Sequence, residues 1–147
     1  MLTKPCCGWS EVTLGNFKSC ASYLDDLPFN WLRAFRNGFE HNIPVALYID
    51  EEGSHSIIVT YYDDTYVVSD RGEGAKTLET VEGIDFLDVA YMLICDINDN
   101  FEDWVTWDHH EYPENEIDLR RNELRQLLDE TGEYLSAYAK KMNKHFK

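Results

Sequence analysis

Five aspartates have the spacing of a concerted feature: Asp85, Asp88, Asp96, Asp99 and Asp103. On a helix, at about 100° per residue, they fall within roughly an 80° arc. At about 1.5 Å per residue the row is about 27 Å long. Asp108, Glu111, Glu114, Glu116 and Asp118 continue it, and Glu102 lies on its flank. Such a row cannot hold an anion, but its charge steps are comparable to those of a nucleic-acid strand. It can therefore occupy a basic groove built for phosphates, steered there electrostatically and weakened by salt. Tyr91, Trp104, Trp107 and Tyr112 are the aromatics beside it, and aromatics dominate interface hot spots. Trp104 falls on the opposite, apolar arc and is expected in the core. Trp107 and Tyr112 are the expected anchors.

The row carries a cost. Asp96/Asp99 and Asp99/Asp103 are like-charge pairs at i,i+3 and i,i+4, each unfavourable by about 0.2–0.5 kcal/mol. Glu102 and Asp103 lie near the expected helix C-terminus, where the macrodipole favours cations. Residues 77–119 hold 13 acidic residues and no Lys or Arg, so nothing local relieves the strain. A solvated face on an acidic protein is the plainer explanation. Repulsion tolerated without local relief favours a functional one.

Other sets are weaker. Asp96-Ile97-Asn98-Asp99-Asn100 resembles the opening of a calcium loop, but Phe101 stands where the sharp turn needs Gly and Trp107 where the bidentate Glu belongs. Asp108-His109-His110-Glu111 has metal-ligand types, yet adjacent side chains rarely converge on one ion. Cys6, Cys7 and Cys20 form no CxxC pair. Cys95 sits in an apolar helical pattern and is expected to be partly buried. His55 with Asp50 or Asp70 outlines a hydrolytic set, but nothing resembles a nucleophile elbow. Gly72-x-Gly74 is a turn, not a nucleotide loop. No cofactor is implied.

The elements that position these residues follow from pattern. Alternation over Trp9–Leu14, the Gly15-Asn16 turn and Phe17–Tyr23 predict a hairpin. Asp26 as cap and Pro28 open a helix whose face is Trp31, Phe35 and Phe39, with Leu32 widening it. It stops near His41-Asn42, before Pro44. Four β-rich runs follow: Val45–Asp50, His55–Tyr62, Thr65–Ser69 and Ala75–Val81. Short turns at Glu51-Glu52-Gly53-Ser54, Asp63-Asp64 and Asp70–Gly74 favour an antiparallel meander. Helical periodicity runs from Ile84 to Trp107, with Leu87, Ala90, Ile94, Ile97, Phe101 and Trp104 as the core stripe. Pro113 breaks it. A last helix spans about Glu116–His145, with Gly132 as a potential kink. Its stripe of Ile117, Leu124, Leu127, Leu128, Leu135, Tyr138 and Met142 is core or a dimer seam. The expected architecture is α+β: one domain over 1–147, a twisted antiparallel sheet of about four to six strands, an early helix and two C-terminal helices.

Composition bounds the function. The chain has 147 residues, net charge −15, 44% hydrophobic and 14% aromatic residues, which excludes a disordered acidic tail. The charge opposes direct binding to nucleic acid or an anionic membrane. No apolar run suits a signal peptide or a transmembrane helix. Four cysteines without a disulfide pattern suggest a reducing, cytoplasmic setting.

In charge and size the chain resembles the acidic nucleic-acid-mimic inhibitors of phages and mobile elements, anti-CRISPR proteins among them. The resemblance is one of class, carried by no family motif. It implies a non-enzymatic inhibitor whose partner is a basic nuclease or other nucleic-acid enzyme. The expected contact residues are Asp85, Asp88, Asp96, Asp99, Asp103, Asp108, Glu111, Glu114, Trp107 and Tyr112. An immunity protein against a nuclease toxin would share the acidic surface. A metal-dependent or hydrolytic enzyme using His55, His109 or His110 belongs to another class, as does an oligomerisation module built on the last helix.

Overall fold

The computed structural model describes residues 1–51, 53–70, 76–108 and 111–146. Strands β1 (Trp9–Leu14) and β2 (Phe17–Ser22) form an antiparallel hairpin in which Leu14 faces Phe17. Gly15 takes φ +57° at its turn, a conformation open to glycine at little cost. Helix α1 (Leu27–His41) follows. Strands β3 (Val45–Glu51), β4 (Ser54–Tyr61), β5 (Asp64–Asp70) and β6 (Lys76–Thr80) form a second antiparallel sheet in sequential order. The fold is α+β, and the six strands among the described residues divide into sheets of two and four. The Gly72–Gly74 turn and Ala75 lie outside the described residues.

Alternation decides which sheet face is covered. Val45, Leu47 and Ile49 of β3, Ile58 of β4 and Val67 of β5 are buried. Trp31, Leu32, Phe35 and Phe39 of α1 are buried in the same core. The Trp31 indole N–H donates to the Tyr48 carbonyl at 3.1 Å, tying α1 to β3. Gly38 permits that approach, since a Cβ there would stand 2.4 Å from Val45 Cγ2. The opposite sheet face is open, with Tyr48 and Leu78 exposed.

The stretch expected as one helix from Ile84 to Trp107 is two: α2 (Phe86–Asp99) and the short α3 (Phe101–Val105). Asn100 separates them with φ −124° and ψ 36°, and its amide bonds the Asp96 carbonyl at 3.3 Å. Asn competes well for backbone groups at such a position. The break re-aims the segment so that Trp104, Val105 and Trp107 all reach the core.

Helix α4 (Glu114–Met142) runs through Gly132 unbroken. Leu124, Leu127, Leu128 and Leu135 are buried within the monomer's own core. The stripe considered as a dimer seam is thus occupied inside the chain, although Met142 at its end is exposed. The Tyr138 hydroxyl donates to the Phe39 carbonyl at 2.8 Å, holding α4 on α1. Asp26 precedes α1 as expected but makes no side-chain cap. Its carboxylate instead accepts both Arg120 guanidinium NH2 groups at 3.0 and 3.1 Å, a bidentate pair stronger than a cap bond.

Candidate functional site

The acidic row begins as helix chemistry. Asp85 is the N-cap of α2, accepting the Asp88 backbone N–H at 2.9 Å, while Asp88 accepts that of Asp85 at 3.1 Å. This reciprocal box satisfies two helix N–H groups that lack intrahelical partners. Lys144, just past the end of α4, donates to both carboxylates, reaching Asp88 at 2.7 Å. Burial pushes the Asp88 carboxyl up, but the Lys144 bond, the Asp85 backbone N–H and the Lys144 charge outweigh it and hold it below its usual range. Burial pushes Lys144 down, and the two carboxylates more than reverse that, leaving it raised.

Further along, Asp96 accepts the Met1 ammonium at 3.0 Å and the Leu2 backbone N–H at 2.6 Å. Asp103 pairs with Lys4 at 3.2 Å, both well exposed. Glu102 accepts Arg121, which also reaches Asp118. Four of the five ridge aspartates are thus paired with three of the chain's own cations, Lys144 being shared by two of them. Asp99 is exposed and has no ion pair among the described residues, as do Glu111, Glu114 and Glu116. The absence of Lys and Arg from 77–119 therefore did not mean unrelieved repulsion. The relieving charges come from the N-terminus and from residues 121–144, elements brought alongside α2 and α3 only by folding.

The expected anchors divide. Trp107 is 3% exposed and packs on Trp104, with ring centroids 5.3 Å apart. It is core, turned inward by the break at Asn100, and presents no surface to a partner. Tyr112 is half-buried, donates to Asp108, and lies 4.8 Å from the Arg120 guanidinium, which also covers Phe29. Burial first and the Asp108 bond second push its phenol up to about 12. Tyr91 stacks on Phe146 at 4.4 Å. The indole N–H groups of Trp104 and Trp107 and Asp108 Oδ1 are buried without a hydrogen-bond partner among the described residues.

The catalytic alternatives gain little geometry. His55 Nδ1 lies 2.7 Å from Asp50 Oδ1, its cross-strand neighbour, and both are largely exposed. Asp70 stands opposite His55 on the other side. The Ser56 hydroxyl donates to Ser69 across the β4–β5 pair at 3.3 Å. His109 and His110 lie outside those residues. No group of three or more metal-ligating side chains occurs among the described residues. The calcium-like run Asp96–Asn100 is the end of α2, not a loop. Cys6 and Cys7 are exposed, with their sulfurs 3.5 Å apart. The bond to Cys6 pushes the Cys7 thiol up. Cys20 is exposed and Cys95 half-buried.

No helix is long and apolar enough to cross a membrane among the described residues. Comparison of the chain with family models, curated proteins and solved structures found no match.

Proposed function

We propose that the protein is a non-enzymatic inhibitor that occupies a basic, nucleic-acid-binding surface on another protein. The observation that carries this reading is the exposed acidic set Asp99, Glu111, Glu114 and Glu116, which has no ion pair among the described residues and is spread from the end of α2 to the start of α4. Around it lie exposed pairs, Asp103–Lys4 and Glu102–Arg121. Exposed ion pairs contribute only about 0–1 kcal/mol, so a partner's arginines can replace the internal cation at little cost. Asp85, Asp88 and Asp96 are half-buried and held by Lys144 and the N-terminus, and they serve mainly to build α2. The contact surface is therefore shifted toward α3 and the 111–116 segment. Charge steering there favours fast, salt-sensitive association.

The test is the triple reversal Asp99→Lys, Glu111→Lys, Glu114→Lys, compared with wild type as immobilised bait in a host lysate. The expected result is a nucleic-acid enzyme retained by wild type, released by salt and by added duplex, and lost from the variant. Equal capture by a folded variant overturns the reading. The identity of a captured enzyme separates an inhibitor of a host nuclease from an immunity protein, since a cognate toxin would indicate the latter.

A further inference from the structure

A cavity of about 280 Å³ lies at the opposite end of α2 from Asp99. It is framed by the end of α1, the β4–β5 turn, the start of α2 and the end of α4. Its walls are apolar, with Ile43, Phe86 and Met142 among them. Tyr61 and Tyr62 form one side, ring centroids 4.2 Å apart. Both hydroxyls meet Asn42: Tyr62 bonds its side chain at 3.2–3.3 Å and Tyr61 donates to its carbonyl at 3.4 Å.

Two features set this cavity apart from a packing gap. The first is charge. Lys141 lines it and has no ion pair among the described residues. Asp85, the carboxylate on the wall, is already engaged by Lys144. An uncompensated ammonium thus borders an aromatic, apolar space. The second is backbone strain. Tyr62 is the first of two loop residues between Tyr61 and Asp64 and has φ +53°. That region favours glycine and is unusual for a bulky residue. A glycine would make the turn more easily, but only a tyrosine there puts a phenol ring and its hydroxyl at the cavity. Strain of this kind collects where a side chain's position is used.

We propose that this cavity binds a small organic anion, a planar apolar body of one or two rings bearing a single carboxylate. The body lies between the tyrosine pair and the Phe86–Met142 wall. The carboxylate meets the Lys141 ammonium and the Tyr62 hydroxyl. The volume sits just below the usual range for small-molecule sites, about 300–1,000 Å³, which limits the ligand to this size. The inference is independent of the acidic surface.

The experiment is an amide NMR titration of the full chain with 2-naphthoate and, separately, with neutral 2-naphthamide. Saturable shifts confined to Gly38, Asn42, Tyr62, Phe86 and their neighbours are expected with the carboxylate. Lys141→Gln, at an exposed position, should weaken 2-naphthoate by about threefold to tenfold and leave 2-naphthamide unchanged. Tyr62→Gly relieves the positive φ, so it should keep or raise the melting temperature while abolishing saturable binding. The proposal is overturned by the absence of saturable shifts or by shifts scattered over the chain. Equal affinity for acid and amide, or wild-type affinity in folded Tyr62→Gly, also overturns it.

Discussion

Replacing Lys144 with Met keeps the stem and removes the charge that joins α4 to the first turn of α2. Asp85 and Asp88 then face each other as two carboxylates of one capping box. Their side chains are 22% and 30% exposed, so neither the fully buried nor the fully solvated limit applies. Breaking a buried pair costs about 3–5 kcal/mol and an exposed one about 0–1 kcal/mol. Two charge-assisted bonds at this depth put the expected loss at about 1.5–2.5 kcal/mol at pH 7. At about 2–4 °C per kcal/mol, the melting temperature should fall by about 3–10 °C. The pH dependence identifies the cause. The Asp88 carboxyl is lowered in the folded state, so its contribution is present above the ordinary carboxylate value and fades as pH falls through the folded one. Urea unfolding of both proteins at pH 7 and near pH 3 should show the difference shrinking at low pH. A loss of the same size at both pH values would refute the electrostatic account and assign the effect to the lysine stem.

Three further outcomes follow from particular contacts. Gly132 lies in the right-handed interior of α4 with open space where a Cβ would go, so Gly132→Ala should stabilise by about 0.5–1 kcal/mol in urea melts. Gly38→Ala gains similar helix propensity but drives a methyl into the stiff, buried Val45 side chain at 2.4 Å. Its net effect should be a loss of about 1–2 kcal/mol by the same assay. In a spectrophotometric tyrosine titration, Tyr112 should still be protonated after the exposed phenols ionise, and Asp108→Asn should bring it down. Because its folded value is raised, the stability it contributes is held below pH 10 and lost as pH rises toward about 12.

Much of the architecture was legible in residue order. Period-two runs, the Gly15-Asn16 turn and the four-residue spacing of Trp31, Phe35 and Phe39 each mark local backbone choices that burial then reinforces. Pattern was less able to place the division at Asn100, because Phe101 and Trp104 continue the helical period of α2 across it while the backbone breaks at Asn100 and restarts as α3. Gly132 misled in the other direction, since the packing of Leu127, Leu128 and Leu135 holds α4 together across one weak residue. For the surface, sequence alone determined that residues 77–119 carry 13 acids and no Lys or Arg, and that cations accumulate after residue 119. Which carboxylates those cations reach was decided by tertiary structure. Charges 56 or more positions apart, as with Lys144 and Asp88, meet only when α4 docks against α2. Coulomb energy depends on separation in space, so a local reading of charge overstates the repulsion on the ridge and hides how few of its carboxylates remain free.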